Sequence, residues 1–156
     1  MGRIADRLAE LGIELPEVPP LPMQANRAII TAHRDLAFVS GVGPIGVVGR
    51  VGDDMSIDDG YAAARLAGLY CLSRLVQELG DLDRIDRWIK LLGFVRSATD
   101  FDRQPEVLNG FSDLIVEVFG DAGRCARSAI GTSELPLNMP VEVEAVIALR
   151  DRPLSR

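Results

Sequence analysis

The sequence predicts an α+β domain in which two long helices cover one face of a mixed β-sheet. Two stretches of the 156-residue chain place apolar residues along one stripe at helical spacing, and shorter apolar runs around them are typical of strands. Taken in order, the elements are β-β-β-α-β-α-β-β behind a leading helix. A helix with one apolar stripe can cover only one side of a sheet. The length fits one domain over residues 1–156.

Residues 1–26 are predicted to form a short helix and a proline-rich lead-in. Ile4 and Leu8 recur at helical spacing, and Gly12 offers a stop. The prolines between 16 and 22 exclude both a helix interior and a central strand. The sheet is therefore expected to begin after this lead-in.

The sheet is expected to begin with three strands. The runs at 27–32 and 36–40 are predicted strands, and the corner at 33–35 is predicted to be a hairpin turn. The glycine-rich stretch 41–52 follows, and a third short strand is expected within it at 47–51. All three strands precede the first long helix.

The first long helix is predicted to begin after Ser56. Ser56 is a suitable N-cap, and Asp59 three residues later resembles a capping box. Gly80 is predicted to end the helix. The apolar stripe comprises Ile57, Tyr61, Ala64, Gly68, Leu72, Leu75 and Leu79.

A strand at 85–95 and a second long helix follow. The strand is apolar on both faces, which predicts an interior position in the sheet. Pro105 suits the first turn of the helix, and Gly120 is predicted to close it. The core face of this helix comprises Val107, Phe111, Leu114, Ile115 and Val118.

Two predicted strands, 126–132 and 141–149, complete the chain. In the last strand apolar residues alternate on one face, whereas Glu142 and Glu144 point to the other. That second face belongs to apolar strands and must be covered. A second copy of the chain is the simplest candidate.

Composition limits the classes of function. The net charge of −6 argues against non-specific binding of nucleic acid, because that binding needs Lys and Arg to neutralise phosphates. No run of about 18 uncharged apolar residues is present, and the N-terminal residues lack the apolar core of a signal peptide. A cytoplasmic protein that does not enter the membrane is therefore expected.

Three familiar site patterns are present but incomplete. The stretch 41–46 matches GxGxxG, yet Pro44 interrupts it and no helix opens directly after it, so dinucleotide binding is not predicted. Asp53 and Asp59 belong to a group of acidic residues at the start of the predicted helix. Interaction with the positive end of the helix explains this group better than the binding of a metal ion does. His33 is the single histidine, lies in the expected turn, and is not predicted to be catalytic.

Arg127 is the most unusual charged residue. It lies inside a predicted strand among the small residues Ala126, Ser128 and Ala129. A planar guanidinium binds a carboxylate through two parallel hydrogen bonds, and small neighbours leave space for a ligand. The pattern alone leaves two interpretations open, an anion receptor or a solvated or ion-paired strand charge. Glu142, taken alone, is typical of a polar strand face.

The stretch that contains Arg127 resembles the signature of the YjgF/RidA (Rid) family, also described as putative endoribonuclease L-PSP. Short motifs match in order over roughly residues 27–149, and their combination is specific although each motif is weak. The stretches 91–95 and 118–123 resemble the longer branch of the family. The motifs are Leu36-Ala-Phe-Val-Ser-Gly41, Leu108-Asn109-Gly110, Ala126-Arg127-Ser128, Leu135-Pro136 and Val141-Glu142-Val143-Glu144-Ala145.

This resemblance implies a chorismate-mutase-like fold. It also implies a homotrimer whose sheets form a central barrel, with sites in the clefts between subunits. In that fold the last strand is inserted between earlier strands. Adjacency in the chain would instead pair 126–132 with 141–149 as a hairpin, and the insertion implied by the family is the arrangement that we expect.

The resemblance further implies hydrolytic deamination of reactive enamines or imines. Water adds to a C=N bond, and a 2-iminoacid gives a 2-keto acid and ammonia. Arg127 would hold the substrate carboxylate, assisted by the backbone N–H of Ala129, and Glu142 would position or activate the water. Asn109 and Gly41 would help to line the pocket. No metal or cofactor is implied, since an imine is already activated and positioning with electrostatics can suffice.

Two departures from the family pattern alter the pocket wall. The position that is often Tyr falls on Arg27, and the position after Ser-Gly, often Gln, is Val42. Arg27 is expected among the ligand-binding residues, where its cation would favour a more acidic ligand or fill the site by pairing with a Glu. Three functions stay open: an enamine/imine deaminase, a non-catalytic binder of a small carboxylate and, with least support, an endoribonuclease.

Overall fold

The computed structural model describes residues 2–19 and 30–150. Its helices are α1 (Arg3–Glu10), α2 (Ile57–Leu79) and α3 (Gln104–Phe119). Its strands are β1 (Ile30–His33), β2 (Leu36–Val42), β3 (Ile85–Arg96), β4 (Ala126–Thr132) and β5 (Val141–Leu149). Short 3₁₀ turns occupy Leu82–Arg84, Gly120–Gly123 and Pro136–Asn138.

The strands described here form one mixed sheet in the order β1-β2-β5-β3-β4. Strand β5 lies at the centre and is antiparallel to β2 and β3, whereas β4 runs parallel to β3 at one edge. The last strand is therefore inserted between earlier strands, and β4 and β5 do not form a hairpin. The β1–β2 hairpin is confirmed, with Arg34 in its turn at a φ of 56°.

Helices α2 and α3 lie together on one face of the sheet, which confirms the predicted layers. Close approach of the helices depends on Gly110, because a Cβ there would collide with the backbone carbonyl of Tyr61. Beneath α3, the buried Trp88 of β3 contacts Phe111 and Phe119 edge-on, with ring centroids 6.2 and 5.8 Å apart. Large aromatic side chains thus join the helical layer to the sheet.

The predicted ends of α2 are confirmed. Ser56 Oγ accepts a hydrogen bond from Asp59 N at 3.1 Å, and Asp59 Oδ2 accepts one from Ser56 N at 3.0 Å, which completes the capping box. Both the hydroxyl and the backbone N–H of Ser56 lower the pKa of the Asp59 carboxyl. Gly80 ends the helix with a left-handed φ of 78°.

The third strand predicted at 47–51 is wrong. Residues 47–50 have no strand structure, and Val51 itself forms only isolated bridges. Gly46, Gly49 and Gly52 have φ values of 79°, 149° and 85°, a region that favours glycine and departs from strand geometry. The glycine-rich stretch is therefore a folded loop between β2 and α2.

Part of the predicted chain lies outside the described residues. The strand predicted at 27–32 is described only from Ile30, so Arg27 is not included, and neither are the prolines at 20 and 22. Within the described ranges, no helix combines the length and apolar character that crossing a membrane would need.

Candidate functional site

Arg127 lies on the edge strand β4, and its side chain reaches the flank of α3. Its Nη1 donates hydrogen bonds to Asn109 Oδ1 at 3.0 Å and Ser112 Oγ at 2.7 Å. Its Nη2 donates to the carbonyl oxygen of Pro105 at 3.2 Å. Residues 105, 109 and 112 follow helical spacing, so they line one side of α3. One helix therefore holds the guanidinium at three points.

None of these three acceptors carries a charge. Several other arginines meet carboxylates: Arg65 donates to both oxygens of Glu117 at 3.2 and 2.7 Å, and Arg96 pairs with Glu134 at 3.3 Å. Among residues 2–19 and 30–150, no ion pair involves the half-buried Arg127. A partly desolvated cation without a carboxylate partner retains its attraction for an anion.

The register of the sheet places Arg127 on the helix-covered face. Leu91 of β3 pairs with Arg127 on one side and with Ala145 of β5 on the other. Directly paired residues point to the same face, and both Leu91 and Ala145 are buried beneath the helices. Ala129, two residues beyond Arg127, points the same way and is half-buried opposite Gly93.

Glu142 points to the opposite face of the same sheet. Side chains alternate along β5, so the odd-numbered residues such as Ala145 face the helices and the even-numbered residues such as Glu142 do not. Its side chain lies over Gly41 of β2, where a Cβ would come within 2.7 Å of Glu142 Cδ. The absence of a side chain at Gly41 therefore makes room for this carboxylate.

The structure thus brings the predicted site residues together in two separate pairs. Arg127 contacts Asn109 on the helix side, and Glu142 contacts Gly41 on the other side. Strand β3 and the thickness of the sheet separate the two pairs within one chain. A single cleft that contained both charges would need residues from two chains.

Comparison with known proteins agrees with this fold. A sequence model described as YjgF/chorismate_mutase-like, putative endoribonuclease matches residues 5–148. The chain belongs to the YjgF/chorismate mutase-like family. The resemblance carried by the sequence motifs is therefore confirmed, and with it the chorismate-mutase-like fold.

Similar proteins span the same length. Protein TCP17 of Trypanosoma cruzi is 40% identical over 156 residues, covering 96% of each chain. The crystal structure of Atu1372 from Agrobacterium tumefaciens, of unknown function, is 40% identical with a TM-score of 0.84 over 94% of both chains. A putative endoribonuclease from Shewanella oneidensis is 32% identical with a TM-score of 0.87, covering 95% of this chain and 100% of that one.

On this YjgF-like sheet, no helix of residues 2–19 and 30–150 covers the second face, named here the open face. Phe38 and Ile130 on it are 46% and 47% exposed. Lys90 Nζ donates to Ser128 Oγ at 2.8 Å across the β3–β4 pair. The register assigns to the open face Phe38, Lys90, Leu92, Phe94, Ser128, Ile130, Glu142, Glu144 and Val146.

The patterns set aside in the sequence have structural explanations. Asp59 caps α2, and Asp54 Oδ1 accepts from Arg50 N at 2.5 Å, so both acidic residues support local structure. The described residues contain no group of three His, Cys, Asp or Glu side chains that could hold a metal ion. His33 is exposed at the end of β1, and the chain beyond β2 reaches a helix only at Ile57.

Cys125 lies just before β4, close to Arg127. Burial raises the pKa of its thiol, while the cations Arg127 and Lys90 act in the opposite direction. Because burial has the larger effect, the thiol is protonated at neutral pH and is not a ready nucleophile. Burial raises the pKa of the second cysteine, Cys71, to about 12.

Sequence reasoning missed two of the groups that hold Arg127. They are the hydroxyl of Ser112 and the carbonyl oxygen of Pro105. A serine inside a helix is commonly an exposed polar residue, and a backbone carbonyl leaves no trace in the sequence. The available signal was the spacing, because Ser112 follows Asn109 by three residues and shares its side of α3.

Proposed function

We propose that the protein is a hydrolytic deaminase of reactive enamines and 2-iminoacids, with Arg127 as the receptor for the substrate carboxylate. The observation that carries the proposal is the environment of the Arg127 guanidinium. Three neutral acceptors from α3 orient it, and none of them neutralises its charge. A ligand carboxylate would supply the missing anion through charge-assisted hydrogen bonds.

The proposed site lies between two copies of the chain. One copy would contribute Arg127, Asn109 and Ala129, and the next copy would contribute Glu142 and Gly41. Support comes from the opposite orientation of the two groups in one chain and from the exposed apolar side chains of the open face, which an assembly would cover. A homotrimer, as in the family resemblance, is the arrangement proposed.

The proposed reaction needs only water. An enamine first tautomerises to the imine, gaining a proton on carbon and losing one from nitrogen. The water oxygen then bonds to the imine carbon, and a proton moves to nitrogen. Collapse of the resulting carbinolamine breaks the C–N bond, releasing ammonia and a 2-keto acid. Arg127 would fix the carboxylate beside the reacting carbon, and Glu142 would hold the water and accept its proton.

One structural relative supplies a further parallel. TdcF from Escherichia coli, with bound serine, is 21% identical with a TM-score of 0.54, covering 81% of this chain and 90% of that one. Serine is an amino acid and carries a carboxylate. At this identity the likeness concerns the fold alone, so a carboxylate ligand for this chain is proposed from the environment of Arg127.

The decisive experiment is ammonia release from a 2-iminoacid generated in situ. The wild type is expected to accelerate release, and Arg127→Ala to weaken carboxylate binding about 10- to 100-fold, the loss typical of a hydrogen-bonded charge. Arg124→Ala is the matched control, because it removes an equal charge that pairs with Asp121 on the surface. Equal rates for wild type and Arg127→Ala would disprove the role of Arg127.

A non-catalytic carboxylate receptor is the second candidate. It is favoured by the fact that Arg127 is fully oriented without Glu142, so binding does not depend on the proposed water site. Saturable binding of 2-ketobutyrate without faster imine hydrolysis would identify this function. Cleavage of RNA that survives purification and is lost in Arg127→Ala would instead support the endoribonuclease named in the family description.

A further inference from the structure

We infer that Ser112 is a positioning residue for the carboxylate site, and that it turns Arg127 so that a ligand carboxylate binds along the Nε–Nη2 edge of the guanidinium. This inference rests on the proposed function, because it concerns how the same arginine meets its ligand. Ser112 lies outside the sequence motifs that carry the family resemblance. Its role follows from the hydrogen bonds around Arg127.

The hydrogen bonds of Arg127 leave one pair of donors for a ligand. A guanidinium has five N–H groups in one plane. Nη1 donates to Asn109 and to Ser112, and Nη2 donates to Pro105, so with one hydrogen for each acceptor three of the five are used. Within the described part of the chain, the N–H of Nε and the second N–H of Nη2 have no acceptor. One carboxylate with two oxygens matches two such donors.

The order of the acceptors along α3 fixes which edge is occupied. Pro105, Asn109 and Ser112 follow one another along one side of the helix, and they bind Nη2, Nη1 and Nη1 in turn. With one hydrogen for each acceptor, this order corresponds to the outer Nη1–Nη2 edge of the guanidinium lying against α3. The Nε–Nη2 edge therefore faces away from the helix and is the edge available to a ligand.

The hydroxyl proton of Ser112 is used in a bond to another residue, so its oxygen is left to accept from Arg127. Its Oγ donates to the carbonyl oxygen of Leu108 at 3.2 Å, one helical turn earlier. With the proton directed to Leu108, a lone pair is directed to Arg127 Nη1 at 2.7 Å. The chain of hydrogen bonds from Arg127 through Ser112 to Leu108 thus has a single direction, and the hydroxyl cannot rotate to donate toward a ligand without breaking it.

Removal of the Ser112 hydroxyl would release one corner of the guanidinium. The Nη1 hydrogen would lose its acceptor, and the planar group could turn about its side-chain bonds. A carboxylate would then meet a less ordered set of donors, and the advantage of preorganisation would be reduced. The effect should appear for ligands that carry a carboxylate and be absent for neutral analogues.

Calorimetric titration with 2-ketobutyrate tests the inference. Ser112→Ala is expected to weaken binding roughly 2- to 12-fold, the range for one lost hydrogen bond. Ser112→Cys keeps the volume but is a weak acceptor, and should behave like Ser112→Ala. Ser112→Thr keeps the hydroxyl and should retain most of the affinity. Ser73→Ala is the matched control, because Ser73 lies in α2 away from Arg127, and its hydroxyl bonds to the carbonyl oxygens of Leu69, four residues earlier, at 3.1 Å and of Pro16 at 2.8 Å.

A second titration uses 2-ketobutyramide, the neutral amide of the same ligand. Its weaker binding should be unchanged in Ser112→Ala, because no carboxylate is present to use the ordered donors. Equal losses for acid and amide would indicate a general packing defect and overturn the positioning role. Undiminished 2-ketobutyrate binding by both Ser112→Ala and Ser112→Cys would also overturn it. Failure of the wild type itself to bind 2-ketobutyrate would instead overturn the proposed function, and the inference with it.

Discussion

At the scale of single residues, the arrangement depends on positions where the side chain is small or absent. Gly41 gives space to Glu142, and Gly110 allows α2 and α3 to approach until backbone meets backbone. Gly68 also lies between these helices, but a Cβ at Gly68 would meet side chains, the nearest atom being Leu114 Cδ2 at 2.8 Å. The two helix glycines should therefore differ in their tolerance of alanine.

Gly110→Ala is expected to lower the free energy of unfolding by about 2 kcal/mol or more, because added volume in a packed interior is costly when a backbone cannot move. Gly68→Ala, the matched control, should change it by less than about 1 kcal/mol, since alanine favours the helix and Leu114 can shift. Urea unfolding followed by fluorescence of Trp88, the single tryptophan, gives both values. Equal losses in the two variants would contradict this explanation.

The candidate site shows what residue patterns can predict. The family motifs selected Arg127 and Asn109, and the structure brings these two side chains into contact. Ser112 and the Pro105 carbonyl were not predicted, since their roles depend on which side of α3 faces β4. The sequence also did not reveal that Glu142 faces away from Arg127. Alternation shows which residues of one strand share a face, but it does not show which face of β4 corresponds to which face of β5.

At the scale of elements, the ends of the long helices were predictable and the loop after β2 was not. Ser56 and Gly80 act locally, through a cap and a left-handed stop, so their neighbours in sequence are sufficient to identify them. The run at 47–51 has the apolar composition of a strand, yet glycines with positive φ turn the backbone away from strand geometry. The apolar composition of this run therefore predicted a strand wrongly, because the backbone conformation of its glycines determines the structure there.

Ser56→Ala is expected to reduce the free energy of unfolding by about 1 kcal/mol at neutral pH, the usual value of an N-cap, whereas Ser56→Thr should retain most of it. The effect should depend on pH. Ser56 lowers the pKa of the Asp59 carboxyl in the folded protein. The stabilisation by this cap is therefore fully present above the ordinary pKa of a carboxyl group. It is lost as the pH falls through the lower pKa that Asp59 has in the folded protein.

Unfolding curves at several pH values measure this dependence. The difference between wild type and Ser56→Ala should be largest near neutrality and should narrow in acid. A difference that stays constant from neutral to strongly acidic pH would show that the Asp59 carboxylate takes no part in the cap.

At the scale of the whole molecule, the sheet is covered on one side only. The helices bury one face, while the open face presents apolar side chains such as Phe38 and Ile130 beside Lys90 and Glu144. Apolar strand faces are rarely left in water, and the proposed homotrimer would bury this one. The proposed catalytic cleft depends on the same assembly, because Arg127 and Glu142 lie on opposite faces of one chain.

Ile130→Glu is expected to dissociate the assembly, since each copy would bring an unpaired carboxylate into an apolar contact. Light scattering should give three times the chain mass of 16.9 kDa for the wild type and the single mass for the variant. Val76→Glu is the matched control, because Val76 is also exposed, at 37%, but lies on α2 away from the open face. A wild type that is monomeric at micromolar concentration would contradict the proposal.

In the proposed homotrimer, the orientation of Arg127 and Glu142 on opposite faces would also have a genetic consequence. A chain with Arg127→Ala would still contribute an intact Glu142 to a cleft, and a chain with Glu142→Ala would still contribute an intact Arg127. When these two variant chains are produced together, some clefts of the mixed assemblies should combine the intact Arg127 of one chain with the intact Glu142 of the other. Two inactive alleles would then complement each other. In the proposed homotrimer, a chain altered at both positions would damage both clefts that it borders and leave the third intact, so its allele would lower the activity of wild-type chains in mixed assemblies.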